Sequence, residues 1–494
     1  MTPETSLPVL GERIFSLEDQ LAFADFSGDR NPLHIDPLHA RRSPAGELVV
    51  HGIHTLLWAL ECWANKQGGA DGIASLHVEF TRPFLIGEPS ICRDRGVDAS
   101  GKVRLEIVVP AGEAMLVEFA LGSDAPVHAL PAGAGAPASA SPSKLGMDEM
   151  VGRSGGWVMP VEKGRAARLF PALVELCGEG LPILLANTSR LVGMECPGLY
   201  SLYSELELAQ VVHRADEAPS SIKYCVLRFD RRFGLLTVGV EGAGLTGTVR
   251  AFLRPPPTRQ ASMQELATRV ASRSAFYAQR ALVVGGSRGL GELTAKLLAA
   301  GGADVCLTYH LGRSEAEGVV AEILSHGGKA VVVALDVRAP FVPEDALPTG
   351  WWPTHLYYFA TPPIFVGARS GFSAELFDRF CDYYVRGFAQ LVEHLSSAGL
   401  TGAFCPSTVA LDELPTDMIE YCAAKAAGEV LCRALVRRNP GLRISNPRLP
   451  RLATDQTASM LPVRNQDPLP VMLNLLNDFA SVQTGQISDR RSAI

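Results

Sequence analysis

The stretch ALVVGGSRGLGELTAKLLAAGG, starting at Ala281, constrains the fold more than any other. An apolar strand-like run meets a glycine-rich turn, and a helix-like run follows at once. The same alternation then continues: ADVCLTYH as a strand, SEAEGVVAEILSHGG as a helix and KAVVVALDV as a strand. THLYYFAT is another strand, and AELFDRFCDYYVRGFAQLVEHL and IEYCAAKAAGEVLCRALVRR are long helices. Strands alternating with helices imply right-handed crossovers and a parallel sheet. The C-terminal part therefore reads as an α/β, doubly wound Rossmann domain, and the run SMQELATRVASRSAFYAQR before it reads as an amphipathic helix.

A chain of 494 residues is too long for one core, and about two to four domains are expected. Two breaks stand out. APVHALPAGAGAPASASPSK, Ala125 to Lys144, has too little apolar side chain to order itself and reads as a linker. RPPPTRQ, Arg254 to Gln260, ends a strand-like run with three prolines. The expected domains are 1–124, a linker 125–144, a second domain 145–257 and the α/β domain 258–494.

The two segments before residue 255 resemble each other faintly. ELVVHGIHTLLWALECWA, LHVEFTRPFLIGEPS and VRLEIVVP have counterparts in LVGMECPGLYSLYSELELA, YCVLRFDRRFGLLTVGV and GTVRAFLRP. Each copy reads as a helix opening at a glycine, followed by antiparallel strands with F-T-R-P-F or F-D-R-R-F. One α+β fold used twice is expected, a long helix wrapped by an antiparallel sheet.

The net charge of -7 argues against nucleic acid as a partner, because phosphate binding needs concentrated Lys and Arg. The ten cysteines are scattered without CxxC, which suggests reduced buried thiols and no metal site. The N-terminal MTPETSLPVLGERIF lacks the pattern of a secretory signal, and no apolar run reaches the length of a membrane span. A cytoplasmic protein is expected.

SGDRNPLHID, Ser27 to Asp36, follows the helix-like LEDQLAFADF. Gly28 permits a tight bend and Pro32 fixes φ, so the loop can aim Asp29 and His34 at one point. A carboxylate and an imidazole can bracket a water, one moving a proton while the other donates or orients. Hydration of a double bond conjugated to a carbonyl also needs donors for the developing oxyanion, and the N–H of Gly52, where a helix begins, suits that need. The full string FADFSGDRNPLHIDPLHARRS…VVHGIHTLLW closely resembles the signature of MaoC-type, (R)-specific enoyl-CoA hydratases. That resemblance implies a hot-dog fold, with Asp29 and His34 as the catalytic pair, Asn31 holding the water or the loop, and Gly52 in the oxyanion hole. It also implies a double hot-dog arrangement whose second copy, lacking the motif, is non-catalytic.

In GGSRGLG, residues Gly285, Ser287, Arg288, Gly289 and Gly291 shape a turn at a helix N-terminus, where backbone can approach a pyrophosphate. YCAAK places Tyr421 and Lys425 on one helix face, and an ammonium near a phenol eases proton transfer to a carbonyl as hydride arrives. Together these segments resemble the short-chain dehydrogenase/reductase family over roughly residues 281–460. The resemblance implies Tyr421 and Lys425 as catalytic, Thr408 (with Ser407 adjacent) as their hydroxyl partner and Asp336 as an adenine contact. Departures are Val284 where Thr is common, FATP at Phe359 to Pro362, Tyr384 in place of a relay Asn, and NPRLPRLATDQ in place of a Pro-Gly segment. No acid closes ADVCLTYH and Arg288 is near, which favours NADPH over NADH.

A ketoreductase and a dehydratase catalyse consecutive steps on one 3-hydroxyacyl thioester. The expected protein is a bifunctional enzyme acting on acyl thioesters of CoA or a carrier protein, a homo-oligomer by family resemblance, with its direction open and NADPH arguing for biosynthesis. The alternatives are a monofunctional hydratase with a silent Rossmann domain, and a non-catalytic acyl-binding scaffold.

Overall fold

The computed structural model describes residues 7–67, 72–122, 139, 141–160, 162, 164–210, 220–270, 274–365, 371–459 and 463–481. Most of the expected linker 125–144 lies outside them. The chain divides into two units, Met1–Pro256 with Ser459–Pro462, and Pro257–Ala458 with Val463–Ile494.

In the first unit, Ser16 caps α1 (Leu17–Ser27) in a capping box with Asp19, and Gly28 ends it at φ +76°. Two short turns follow, α2 (Pro32–Ile35) and α3 (Pro37–Ala40). Asn31 and Asp36 cap them through side-chain oxygens, and each has proline at its first position. The long helix α4 (Gly52–Gln67) is apolar almost all round, and Ile53, Leu56, Leu57 and Leu60 are fully or nearly fully buried. Such a helix belongs at the centre of a core.

The strands are β1 (Val9–Ile14), β2 (Gly72–Phe80), β3 (Pro89–Val97), β4 (Val103–Val109), β5 (Gly112–Gly122), β6 (Ser154–Val158), β7 (Ser201–Gln210), β8 (Ser221–Asp230), β9 (Leu235–Gly242) and β10 (Leu245–Leu253). They form one antiparallel sheet in the order β1-β3-β4-β5-β2-β7-β10-β9-β8-β6. Its second half repeats the first in mirror order, with β6 to β10 standing for β1 to β5. The halves join where β2 pairs with β7, Leu76 opposite Leu208 and Val78 opposite Leu206.

The repeat is in a different register from the one expected. The second central helix is Gly180–Arg190, extended by a π-turn at Leu191–Glu195. LVGMECPGLYSLYSELELA is therefore the end of that helix followed by β7, not a helix of its own. F-T-R-P-F ends β2, whereas F-D-R-R-F spans the turn from β8 to β9.

The second unit has a parallel sheet of β11 (Arg280–Val284), β12 (Asp304–Tyr309), β13 (Lys329–Ala334), β14 (His355–Tyr358), β15 (Gly402–Phe404) and β17 (Arg443–Ser445), in the order β13-β12-β11-β14-β15-β17. This is the doubly wound arrangement with its switch point between β11 and β14, and ligands bind outside the strand ends there. A small parallel pair, β16 (Ser407–Thr408) and β18 (Arg448–Leu449), continues past the strand ends. Among the described residues of SMQELATRVASRSAFYAQR, expected as a helix, the helix is a short one, Met263–Ala267, capped by Ser262. Nearer β11 the chain runs in tight turns, the Tyr277 N–H donating to the Ser274 carbonyl and the Gln279 N–H to that of Phe276, with Phe276 buried and Tyr277 76% exposed.

Candidate active site

The two short capped turns after α1 answer why Asp29 and His34 are spaced as they are. Asp29 lies just before the Asn31 cap, and His34 sits in α2. Asp29 is 2% exposed. Its Oδ1 accepts the Asn31 N–H at 3.1 Å, and its Oδ2 accepts the Ser189 hydroxyl at 2.7 Å. Burial pushes the carboxyl up to about 6, against the pull of those two donors. His34 Nδ1 lies 2.7 Å from the Val49 carbonyl, which fixes Nδ1 as the protonated nitrogen and leaves Nε2 bare. Burial, with Arg254 nearby, pulls the imidazole down to about 4, so it is neutral at pH 7.

Asn31 braces the loop. Its Nδ2 faces the carbonyls of Gly193 at 2.9 Å and Gly198 at 3.2 Å. Gly52 opens α4, where the first N–H groups lack intrahelical partners. A Cβ there would lie 2.8 Å from the Phe80 ring. Asp29, His34 and His51 bring one ligand-capable atom each within 4.8 Å, yet both nitrogens of His51 already face Gln20 and Asp29.

Ser189 and Gly193 escaped the sequence reading. Both belong to the second copy's helix and its π-turn, a feature common at functional sites. A Cβ on Gly193 would fall 2.1 Å from Asp29 Oδ1, so only glycine lets that turn lie against the carboxylate. Ser189→Ala removes the donor on Oδ2 and raises the Asp29 pKa further. Activity that needs the carboxylate is lost as pH falls through that pKa, so the acid limb of kcat/KM should move up by about one pH unit. A pH profile checks this.

In the second unit the glycine turn fits a dinucleotide. Gly285 has φ +81°, and a Cβ there would meet Ala360 N at 3.0 Å. A Cβ on Gly291 would lie 2.1 Å from the Gly285 carbonyl oxygen. At Gly289, φ is +59° and a Cβ would meet nothing within 4 Å, leaving open space over the start of the helix Gly289–Ala300. Ser287 is buried in the same turn. Gly291→Ala should close the turn and weaken the binding of any dinucleotide there by about 100-fold, which a fluorescence titration with NADPH measures.

Three expected residues have protein partners of their own. Arg288 Nη1 lies 3.4 Å from Asp455 Oδ2. The Asp336 carboxylate is clamped by Arg338, Nε to Oδ1 at 3.0 Å and Nη2 to Oδ2 at 2.9 Å. Ser407 donates to Glu429 at 2.7 Å. Thr408 is the residue that hydrogen-bonds Tyr421, whose phenol burial pushes up to about 12. Lys425 Nζ lies 3.0 Å from the Pro406 carbonyl, 4.0 Å from the Tyr384 ring centroid and 5.9 Å from that of Tyr421. Tyr384 sits within a π-turn (Asp382–Gly387), its hydroxyl 2.5 Å from Thr361 Oγ1.

Residues 3–90 match the family model for the MaoC like domain, and residues 279–346 match that for short chain dehydrogenase. The chain carries a MaoC-like domain at its N-terminus and a short-chain dehydrogenase domain in its C-terminal region. The first match contains Asp29, Asn31, His34 and Gly52. The second contains the glycine turn and Asp336 and stops before Tyr421.

Over 86 residues the MaoC-like domain is 36% identical to the 3-hydroxybutyryl-CoA dehydratase of Methylorubrum extorquens, covering 17% of this chain and 55% of that protein. Over 64 residues the dehydrogenase domain is 47% identical to the 3-oxoacyl-(acyl-carrier-protein) reductase of Synechocystis sp., covering 13% and 26%. The chain thus spans about half the length of one relative and about a quarter of the other. A short chain dehydrogenase from Burkholderia cenocepacia J2315, crystallised in complex with NADP, is 26% identical over 42% of this chain and 91% of its own, at a TM-score of 0.35. Among the described residues no helix is long and apolar enough to cross a membrane.

Proposed function

We propose that the protein is a bifunctional enzyme of acyl thioesters. It reduces a 3-oxoacyl thioester to the (R)-3-hydroxyacyl thioester with NADPH, and it interconverts that product with the 2-enoyl thioester. The observation that carries the reading is the buried Asp29 carboxylate, set beside a neutral His34 with a bare Nε2 and completed by Ser189 from the second copy. The mirrored strand order supports two hot-dog copies, 1–124 and 145–257, joined by 125–144.

In hydration, Asp29 takes a proton from water as the water oxygen bonds to C3. His34 Nε2 accepts the other O–H and orients it. The proton passes from the Asp29 carboxyl to C2, and the thioester oxygen, which gains charge meanwhile, is received by N–H groups at the start of α4. A carboxyl with a pKa near operating pH suits both directions. In the second unit Gly285, Gly289 and Gly291 would hold the cofactor's pyrophosphate, and NADPH bound there supplies a hydride. Tyr421, neutral at pH 7, donates its phenolic proton to the carbonyl oxygen, with Thr408 orienting the hydroxyl. The relatives' names include both a CoA and a carrier-protein thioester, and either suits this chemistry.

A second reading has support of its own. Lys425 lies against Tyr384 rather than close to Tyr421, which fits a dehydrogenase domain that binds nucleotide without turnover. Crotonyl-CoA and a crotonyl-carrier protein, offered separately, should both be tested for hydration with chiral analysis of the product. An (R)-alcohol from either supports the first activity, and no hydration of either removes it. NADPH that binds but is not oxidised by 3-oxoacyl thioesters would favour the second reading.

A further inference from the structure

His51 is wholly buried, and both of its ring nitrogens face atoms that can only accept. Nδ1 lies 2.9 Å from Gln20 Oε1, and Nε2 lies 3.1 Å from the Asp29 carbonyl oxygen. The Gln20 amide cannot turn round to offer a donor, because its Oε1 also receives the His51 backbone N–H at 3.0 Å while its Nε2 lies 3.4 Å from His54 Nδ1. A neutral imidazole carries one N–H. Either neutral tautomer therefore leaves a bare nitrogen against an oxygen lone pair at hydrogen-bond distance, too close for a water to stand between the two atoms. A buried pair of facing acceptors is costly.

One protonation state gives every contact a donor. We propose that His51 is held as an imidazolium, donating to Gln20 and to the Asp29 carbonyl, and that it is the positioning residue that keeps the Asp29 carboxylate ionised in its buried setting. The counter-charge is at hand, since Asp29 Oδ2 is 4.0 Å from Nε2. The pair is buried as a unit of no net charge, the condition under which buried ions are tolerated. This inference rests on the hydratase reading for its catalytic consequence, but not for the protonation itself.

The groups facing His51 are known from every side. Gln20 and Phe23 come from α1, Asp29 from the loop, His34 from α2 and His54 from α4. His34 stacks on the His51 ring at 3.9 Å, so the cation also disfavours a second positive charge on His34 and keeps its Nε2 bare. Arg254 adds to that effect on His34. Burial and the neighbouring histidines oppose a charged His51, and the two fixed acceptors with the carboxylate favour it.

The test is nitrogen NMR of the full-length protein with 15N-labelled histidine at pH 7, with His51 assigned by its loss in His51→Gln. Two protonated ring nitrogens are expected. In Gln20→Leu, which removes the acceptor at Nδ1, the ring should fall back to one proton. His51→Gln, keeping a neutral donor, should move the acid limb of hydration up by about one pH unit or more, because Asp29 loses its counter-ion. A single neutral tautomer in the unaltered protein overturns the proposal. So does an unmoved acid limb in a His51→Gln protein with a native circular dichroism spectrum. If no thioester is hydrated, the functional reading fails, while the nitrogen spectrum still decides the charge on His51.

Discussion

Asp29→Asn lowers hydration of a 2-enoyl thioester by about 10³-fold and leaves the fold in place. The change keeps shape and removes the base together with its negative charge. The new amide oxygen can still accept the Asn31 N–H, and the amide nitrogen can donate to Ser189, whose hydroxyl turns from donor to acceptor. The buried His51 ring loses the carboxylate 4.0 Å from its Nε2, so a modest loss of stability accompanies the loss of rate. Initial rates on crotonyl-CoA, beside a circular dichroism spectrum, measure both halves of the expectation. A variant that folds and retains most of its activity would remove Asp29 from the chemistry. It would also argue for a scaffold that only binds acyl groups.

Tyr421→Phe abolishes ketoreduction by about 10²–10⁴-fold while hydration continues at its ordinary rate. The phenol is buried, neutral at pH 7 and hydrogen-bonded to Thr408, so its hydroxyl keeps a proton it can give. Phe fills the same space against Phe380 and Tyr384, which pack edge-on to Tyr421. NADPH binding should persist, because the glycine turn is a separate element. The informative comparison is NADPH oxidation against NADPH binding in the same preparation.

The parts of this protein that sequence discloses are those whose physics is local. Gly28 ends α1 in the left-handed region, and Pro32 and Pro37 begin capped turns. Asp29 and His34 are thus placed by residues within a few positions of themselves. The glycine turn is local in the same way. Ser189 and Gly193 reach Asp29 from the second copy, more than 150 residues away in the chain, and that copy carries no motif to announce them.

The register of the repeat was obscured for a related reason. The helix Gly180–Arg190 is buried on every side, so its apolar run has no face to read, and the π-turn after it breaks the 3.6-residue spacing. The spacing from Tyr421 points to Thr408 with Ser407 adjacent, and as neighbours on a strand the two take different partners. One of them meets Glu429 and the other Tyr421. Arg288 was legible as a cation over the nucleotide turn, but its partner Asp455 comes from beyond β18.

The account stands on two activities in one chain. The direct measurement is to mix the purified protein with NADPH and a 3-oxoacyl thioester, acetoacetyl-CoA first and its carrier-protein thioester second. Absorbance is followed at the nicotinamide and enoyl-thioester wavelengths together. The account predicts that NADPH is consumed first and that the enoyl signal rises after it, with Tyr421→Phe abolishing both and Asp29→Asn only the second. NADPH left unoxidised with both thioesters, by a protein that hydrates crotonyl thioesters, would contradict it.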